Sequence, residues 1–179
     1  MRRYEDFSTC TRHALRFAAQ SLEVALSPNE KERLLHDYQS LRPYPDVIPA
    51  IQQLKSCGYK TVAFSQGTEG MVRELLENAG VLPYLDDVVS VDDLKTFKPS
   101  PEVYAYLARR TGSSPSETWL ISSNPWDVIG AKASSLKAAW IKRKADVVFD
   151  PWGIEPDLVA PDLKALAESL CDYASGPVA

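Results

Sequence analysis

Apolar residues near the start of the chain recur at the spacing of amphipathic helices. One helix is predicted over residues 8–26, and a second is predicted after Ser27, where proline occupies the first helical position. Two prolines in the segment 42–45 interrupt this pattern, because proline fits poorly within a helix and restricts the residue before it. We therefore predict a boundary there, between a helical cap remnant of residues 1–43 and an α/β core of residues 44–179.

Beyond this boundary, helical stretches alternate with short apolar runs. Strands are predicted where apolar residues stand together, and helices where they return every third or fourth position. Such alternation is typical of a doubly wound parallel sheet, the α/β class with helices on both faces. The predicted helices span residues 46–56, 69–79, 101–111, 125–136 and 162–173, and the predicted strands span residues 60–64, 88–91, 118–121 and 138–141.

Composition narrows the classes of protein that fit this pattern. Hydrophobic residues make up 45% of the 179 residues, enough to form a core, and charged residues make up 25% with a formal net charge of −4. Because the chain has no block of basic residues, we expect no nucleic-acid partner. No apolar stretch approaches the roughly 18 residues that span a bilayer, and the first residues lack an apolar signal sequence, so we expect no membrane partner.

The cysteines bear on the compartment. Cys10, Cys57 and Cys171 are odd in number and widely spaced. This pattern predicts reduced thiols, and neither a disulfide framework nor a zinc site. We therefore expect a cytoplasmic protein.

Polar residues follow three of the predicted strands. Ser65 follows the first strand, Lys98 comes after the second, and the polar segment 122–127 follows the third. In parallel sheets, ligands bind outside the carboxyl ends of the strands. Ser65 and the backbone N–H of Gly67 suit a carboxylate or phosphate at a helix N-terminus, where a carboxylate such as Asp127 is also stabilised. Each residue alone has a simpler explanation as a cap or a surface charge, but their order indicates one site.

The order and spacing of these residues resemble the haloacid dehalogenase superfamily. Ser65, Lys98 and Asp127 stand where that superfamily keeps its second, third and fourth motifs. Metal-dependent phosphatases of the superfamily carry acidic residues in the turn before the last motif, because Mg²⁺ prefers anionic oxygen ligands. Here the turn holds the neutral Ser123 and Asn124. The chain is therefore most similar to the type II (S)-2-haloacid dehalogenases, a resemblance that implies no metal and no cofactor.

The resemblance implies a role for each residue of the site. Asp127, with Ser122 and Asn124, would position and activate the hydrolytic water. Lys98 would counter the negative charge of the nucleophile and of the departing halide. The resemblance implies substrate binding by Ser65, Gln66, Tyr104, Trp126 and Phe7. Ser65 would hold the substrate carboxylate, and Tyr104 would support Lys98. Trp126 and Phe7 would form the wall of an apolar pocket.

The resemblance also implies that part of the family's layout is missing from this chain. The family's nucleophile is an aspartate at the end of a first strand, which would lie between the predicted strands 60–64 and 118–121. By the usual size of domains, about fifty residues would be absent. The two flanking strands would then have exposed edges, and we expect a marginally stable or aggregation-prone chain.

Two positions depart from the family pattern or imitate it. An apolar run ending at Asp150 resembles a nucleophile strand, but it lies where the family has its C-terminal connection. Gln66 stands where these dehalogenases usually have an asparagine that helps to bind the leaving halide. Asp150 is therefore not expected to be the nucleophile, and the extra methylene of Gln66 would move its amide by about an ångström or more.

Three functions are compatible with these residues. The first is hydrolytic removal of halide from a small 2-haloalkanoic acid through an aspartyl ester, with the chain as given expected to be inactive. The second is a non-catalytic binding module on the same fold. The third is a phosphatase-like relative acting on a small phosphate ester, which the neutral Ser123 and Asn124 disfavour. The resemblance also implies a homodimer formed through the helical cap.

Overall fold

Helices and parallel strands alternate along the chain, which confirms the predicted α/β class. The computed structural model describes residues 4–176. The helices are α1 (Phe7–Ser21), α2 (Pro28–Tyr38), α3 (Val47–Ser56), α4 (Glu69–Asn78), α5 (Pro101–Thr111), α6 (Pro125–Ala133) and α7 (Leu163–Ser175). The strands are β1 (Val62–Ser65), β2 (Asp87–Ser90), β3 (Trp119–Ser122), β4 (Lys137–Ile141) and β5 (Leu158–Ala160). None of the helices in this part of the chain is long and apolar enough to cross a membrane.

Local capping fixes the starts of α1 and α2. The Asp6 carboxylate accepts a hydrogen bond from the Thr9 N–H at the start of α1. Ser27 and Glu30 form a capping box at the start of α2, in which each side chain accepts the backbone N–H of the other residue. Neither helix contains a buried residue. Contacts close in sequence therefore account for where these helices begin.

The strands form two parallel groups that are not joined to each other. β1 pairs with β2, with Val62 opposite Asp87. β3, β4 and β5 pair in that order, with Trp119 opposite Lys137. Within the described residues, β1 and β3 therefore each have one paired edge and one edge without a neighbouring strand.

Helices cover both faces of the three-stranded group, and β4 divides two cores. Ala138 and Trp140 belong to a core with residues of α5 and α6. Ala139 and Ile141 belong to a second core with residues of α3 and α7. Because successive side chains of a strand point to opposite faces, the two cores lie on opposite sides of the sheet. The sheet is doubly wound, as predicted.

Two helices end earlier than predicted, and the backbone gives the reason. α1 ends at Ser21, shortly before Glu23, whose φ of 54° is left-handed. α6 ends at Ala133, ahead of Ser135 with a φ of 65°. A residue in the left-handed region cannot continue an α-helix and commonly follows its last turn. The other predicted helices and the predicted strands agree closely with the structure.

A disulfide joins Cys57 to Cys171, which corrects the prediction of reduced thiols. The two Cα atoms lie 5.5 Å apart, although 114 residues separate the cysteines in sequence. Cys57 follows α3 and Cys171 lies in α7, and these helices share one core. Sequence spacing does not reveal such a contact, because helix packing creates it. Cys10 is a free cysteine, and the cytoplasmic location inferred from reduced thiols stays a prediction.

Candidate active site

An open cleft of about 800 Å³ separates β1 from β3. Both strands line the cleft along their length. Lys60 and Thr118 line it where the strands begin, and Ser65 and Ser122 line it where they end. In α/β sheets the carboxyl ends of strands are the usual location of ligand sites. The cleft therefore opens where the sequence predicts the chemistry.

Lys98 bridges the two strands at one end of the cleft. Its Nζ donates to the Phe64 carbonyl oxygen and to Asp127 Oδ2, at 3.1 Å in each case. Because Phe64 lies near the end of β1 and Asp127 follows β3, both carboxyl ends lie here, and we call this end the mouth. The Lys98 and Asp127 side chains are only 7% and 6% exposed. Burial lowers the pKa of Lys98, while the neighbouring Asp127 carboxylate opposes that shift.

Tyr104 supports Asp127 from the side of the protein core. Its hydroxyl donates to Asp127 Oδ1 at 2.8 Å and lies 3.2 Å from the Asp127 carbonyl oxygen. Burial and, to a smaller extent, the charge of Asp127 raise the pKa of the Tyr104 hydroxyl. This group therefore stays protonated and can donate a hydrogen bond at neutral pH. Tyr104 is fully buried and is not among the residues that line the cleft. The structure thus places it behind Asp127.

Gly130 allows α6 to approach Tyr104 closely. A Cβ atom at this position would lie 2.5 Å from the Tyr104 hydroxyl oxygen and 2.8 Å from Pro99 Cβ. Both distances are shorter than van der Waals contact, so any side chain would displace one of these neighbours. Gly70 in α4 differs, because no atom lies within 4 Å of a Cβ added there. Gly130 is therefore part of the support of Asp127.

Ser65 and Ser122 occupy equivalent positions at the ends of β1 and β3. Ser65 Oγ accepts the Gly67 N–H, and Ser122 Oγ accepts the Asn124 N–H, both at 3.1 Å. The buried Ser90 hydroxyl donates to the Gly67 carbonyl at 2.6 Å and fixes the loop after β1. A serine hydroxyl that accepts one hydrogen bond retains its own hydrogen for donation. Both serines can therefore offer an O–H group to an anion in the cleft.

Phe7, Gln66 and Trp126 line the cleft from three different parts of the chain. Phe7 packs edge-on against Phe97, with ring centroids 6.4 Å apart. Trp126 lies in the first turn of α6 and is 37% exposed. Gln66 follows β1, and Asn124 also lines the cleft. The cleft thus brings together all of the predicted site residues except Tyr104.

Acidic residues at the cleft are few. Asp127 lies at the mouth, whereas Glu117 lies beside Thr118 at the opposite end. Asp150, the residue that imitates a nucleophile position, is not among the lining residues. In residues 4–176, no group of three or more His, Cys, Asp or Glu side chains is arranged to hold a metal ion.

Two residues that shape the site, Phe64 and Gly130, are not among those predicted from the sequence. The Phe64 carbonyl holds Lys98, and the Phe64 ring centroid lies 4.1 Å from its Nζ. Phe64 could have been identified from the sequence as the last apolar residue of the strand before Ser65. Gly130 could have been found because glycine within a helix costs about 1 kcal/mol relative to alanine and often marks close packing.

Sequence and fold are similar to those of known dehalogenases. The profile of the haloacid dehalogenase-like hydrolases matches residues 6–135. The chain is 38% identical over 143 residues to (S)-2-haloacid dehalogenase 1 of Pseudomonas sp. (strain CBS-3), with 80% of this chain and 63% of that protein covered. It is 31% identical to haloacetate dehalogenase H-2 of Moraxella sp. (strain B), over 93% of this chain and 74% of that protein. The L-2-haloacid dehalogenase of Xanthobacter autotrophicus with covalently bound chloropropionic acid matches with a TM-score of 0.86 at 28% identity, over 94% of this chain and 77% of that one.

The fold and the site define an α/β protein with a buried charged pair at the carboxyl ends of a parallel sheet. The chain belongs to the haloacid dehalogenase-like hydrolases, because the family profile covers most of its length. The resemblance predicted from Ser65, Lys98 and Asp127 is thereby confirmed. The chain spans 63% of the Pseudomonas relative and 74% of the Moraxella relative.

Proposed function

We propose that this chain provides most of the active site of a hydrolase that removes halide from a small 2-haloalkanoic acid. The observation that carries the proposal is Lys98, an ammonium group buried at the mouth between β1 and the Asp127 carboxylate. A fixed cation in a desolvated site stabilises an anionic substrate and developing negative charge. The names of the relatives and the chloropropionic acid bound to the Xanthobacter enzyme support this substrate class.

The proposed reaction has two steps. A carboxylate attacks C2 of the haloacid, so that a C–O bond forms while the halide leaves with the electrons of the carbon–halogen bond. Water then attacks the carbonyl carbon of this ester, which restores the carboxylate and releases the 2-hydroxy acid and a proton. Both steps move negative charge past Lys98, whose burial strengthens its electrostatic effect.

Asp127 is proposed to orient the water of the second step. Each of its carboxylate oxygens already accepts one hydrogen bond, from Tyr104 or from Lys98. An ionised carboxylate offers about four lone-pair sites, so capacity remains for a water molecule beside Ser122 and Asn124. The two existing bonds hold the carboxylate in one orientation, which favours a fixed direction for the water.

The substrate carboxylate is proposed to bind beside Ser65, at the start of α4. A hydroxyl donor and a helix N-terminus both favour an anion at this place. Phe7 and Trp126 would then contact the alkyl group and exclude water, and the Gln66 amide would lie near the leaving halide. This arrangement is supported by the lining of the cleft, which includes all four of these residues.

The nucleophilic carboxylate is proposed to enter on a strand between β1 and β3. Asp127 is engaged by two donors, Glu117 lies at the far end of the cleft, and Asp150 does not line it. We therefore infer that the 179-residue chain alone forms no aspartyl ester. The same observation favours a second candidate, a non-catalytic binding module. A phosphatase has less support, because Ser123 and Asn124 offer Mg²⁺ no anionic ligand.

Halide release from (S)-2-chloropropionate tests the proposal. We expect no release by the 179-residue chain, and release after it is extended at its N-terminus by an apolar strand that ends in aspartate. In the extended protein, Lys98→Met should abolish release, whereas Asp150→Asn should leave it unchanged. If the extended protein releases phosphate from p-nitrophenyl phosphate, the phosphatase is favoured. If it releases neither halide nor phosphate, the non-catalytic binding module is favoured. Halide release by the unextended chain that disappears with Asp150→Asn would contradict the proposal.

We also propose that the protein forms a homodimer through α1 and α2. Large exposed apolar side chains on these helices support this arrangement, because contiguous apolar patches on monomers are usually small. They include Phe17 on α1 and Leu34 and Tyr38 on α2, and the exposed Leu22 directly follows α1. Light scattering of the purified protein should give the mass of a dimer, and Phe17→Ser should shift it toward the monomer.

A further inference from the structure

We propose that Ser90 is a positioning residue of the mouth, which orients the Ser65 hydroxyl toward the carboxylate of the substrate. Ser90 does not line the cleft and is only 1% exposed, so it acts on the substrate through Ser65 and not by contact. This role rests on the proposed function, from which the carboxylate site beside Ser65 is taken. It can be tested by binding alone, without any halide release.

Ser90 lies directly beside Ser65 in the sheet. The two residues are partners in the parallel pairing of β1 with β2, and each is the last residue of its strand. β2 pairs with the edge of β1 that faces away from the cleft, and the residues of β2 are not among those that line it. Ser90 therefore contacts the loop after β1 from behind, outside the space that the substrate would occupy.

The buried Gly67 connects Ser90 to Ser65. Its carbonyl oxygen accepts the Ser90 hydroxyl at 2.6 Å, and its N–H donates to Ser65 Oγ at 3.1 Å. A Cβ atom at Gly67 would lie 3.0 Å from Val72 Cγ2, so the backbone here packs closely against α4. Movement of Gly67 would change the hydrogen bond that Ser65 Oγ accepts, and with it the direction in which the Ser65 hydroxyl can donate.

The orientation of the Ser90 hydroxyl is itself fixed by Asp92. Ser90 Oγ accepts the Asp92 N–H at 3.1 Å, and the Asp92 carboxylate accepts hydrogen bonds from the Tyr4 hydroxyl and from Lys95 Nζ. Because Ser90 Oγ already accepts one hydrogen bond, its own hydrogen is directed to the Gly67 carbonyl. Loss of the Ser90 hydroxyl would leave this carbonyl without its donor, and the loop would move toward another partner.

The loop after β3 is held in the same way from β4. Ser122 ends β3 and pairs with Trp140, as Ser65 ends β1 and pairs with Ser90. Trp140 is 5% exposed, and its indole N–H donates to the Ser123 carbonyl oxygen at 3.2 Å. In both halves of the mouth, a buried donor on the neighbouring strand therefore holds a backbone carbonyl of the loop. Because the two loops carry different groups of the site, each donor can be tested separately.

Binding of (S)-2-chloropropionate to the 179-residue chain tests the role of Ser90. An NMR titration of the isotope-labelled protein at constant ionic strength follows the Gly67 amide signal and gives the Kd. Ser90→Ala should weaken binding at least about tenfold, the usual effect of losing a hydrogen bond to a charged group. The neutral (S)-2-chloropropionamide is the matched ligand. Its Kd should change by no more than about threefold, because a hydrogen bond to a neutral carbonyl is weaker than one to a carboxylate.

Two control variants separate positioning from a general loss of stability. Ser134→Ala makes the same substitution, since the Ser134 hydroxyl also donates to a glycine carbonyl, that of Gly130, at 2.9 Å. Trp140→Phe removes the buried donor to the other loop. Both should leave the Kd for (S)-2-chloropropionate unchanged, while thermal unfolding measures the stability that each variant loses. If Ser90→Ala does not fold, Ser90→Cys supplies the comparison, because its thiol is only a weak donor and should also weaken binding.

Four results would overturn the role of Ser90. They are the absence of a saturable shift of the Gly67 signal, an unchanged Kd in the Ser90 variant, equal weakening by Ser90→Ala and Trp140→Phe, and equal weakening for the acid and the amide. Binding that depends on Ser90, without halide release after the N-terminal extension, would support the positioning role and contradict the proposed reaction. Halide release with a Kd that does not depend on Ser90 would do the reverse, so the two proposals can fail separately.

Discussion

Helices α1 and α2 differ from the helices of the α/β region in how far their stabilising contacts reach along the sequence. The capping box of α2 joins Ser27 to Glu30, three positions away, and neither of the two N-terminal helices buries a residue. By contrast, α3 and α7 share a core and a disulfide across 114 residues. Local capping signals determine where a helix begins, whereas most of the stability of a helix in a protein comes from packing against a partner surface. The following changes test this difference.

Truncation of one apolar residue in each region should give the largest contrast. Leu166 in α7 is fully buried, whereas Phe17 in α1 is 72% exposed. Leu166→Ala should lower the free energy of unfolding by about 3–5 kcal/mol, because it leaves a cavity in the core. In protein dilute enough to be monomeric, Phe17→Ala should change it by less than about 0.5 kcal/mol, because this side chain is exposed in the single chain. Urea denaturation of both variants measures the difference, and equal losses would show that α1 is packed as firmly as α7.

Loss of the disulfide should have the next largest effect. Replacement of Cys57 and Cys171 by serine should lower the free energy of unfolding by about 2–4 kcal/mol, because the unfolded chain gains freedom. Treatment of the unmodified protein with a reductant should have the same effect, measured by urea denaturation. Cys10→Ser is the matched control, since Cys10 forms no disulfide. An unchanged unfolding midpoint after reduction would contradict a stabilising role for the disulfide.

Asp46 should make a smaller, pH-dependent contribution. Its carboxylate accepts hydrogen bonds from the Arg143 guanidinium at 2.9 and 3.2 Å and from the Leu163 N–H at 2.7 Å. Burial raises the pKa of Asp46, but these hydrogen bonds outweigh it and hold the pKa below its usual range. Because the folded state then favours the charged form, the stabilisation is present above the unfolded pKa of about 3.9 and is lost as the pH falls below it.

The experiment compares Asp46→Asn with the unmodified protein at two pH values. At pH near 7 the variant should be less stable by about 2 kcal/mol, the usual scale for hydrogen bonds to a charged group. The difference should shrink as the pH falls from the unfolded pKa of about 3.9 through the lowered pKa of the folded-state carboxyl, where this group becomes protonated. Asp146→Asn, at an exposed aspartate, should have no effect at either pH. A difference that stays constant with pH would rule out a charge-dependent contribution.

Removal of a local cap should have the smallest effect. Ser27→Ala deletes the hydroxyl that accepts the Glu30 N–H and should destabilise α2 by about 1 kcal/mol. Because α2 buries no residue, the loss should appear as reduced helical circular dichroism, with little change in the cooperative unfolding of the core. Ser40→Ala, at an exposed serine beyond α2, is the control. A large shift of the whole unfolding transition would mean that α2 supports the core.

The sequence allows prediction of the elements whose boundaries are local. The predicted bounds of α5 match the structure, because Pro101 occupies its first position and Gly112 follows its end with a left-handed φ of 69°. The pattern of the three polar strand ends also identifies the mouth, since parallel topology brings such ends together. β5 lies outside the prediction because its three residues, Leu158–Ala160, are too few to show a period.

Contacts between distant residues account for the rest. The disulfide depends on how α3 packs on α7, and the hydrogen bond from Tyr104 to Asp127 depends on how α5 packs on α6. Neither packing arrangement has a signature in the spacing of the residues involved. The predicted roles of the site residues come from the family resemblance, which implies that Tyr104 supports Lys98. Only the three-dimensional structure shows that its hydroxyl reaches Asp127.

The absence of a side chain at Gly130 has a consequence for engineering the site. Any larger residue there would press on Tyr104 or Pro99, and Tyr104 is hydrogen-bonded to Asp127. A library of site variants would therefore lose most of its members if it varied this position. Variation at Phe7 and Trp126 would instead reshape the wall of the cleft without touching that contact. The chain thus separates residues that set the size of the pocket from residues that hold its charges.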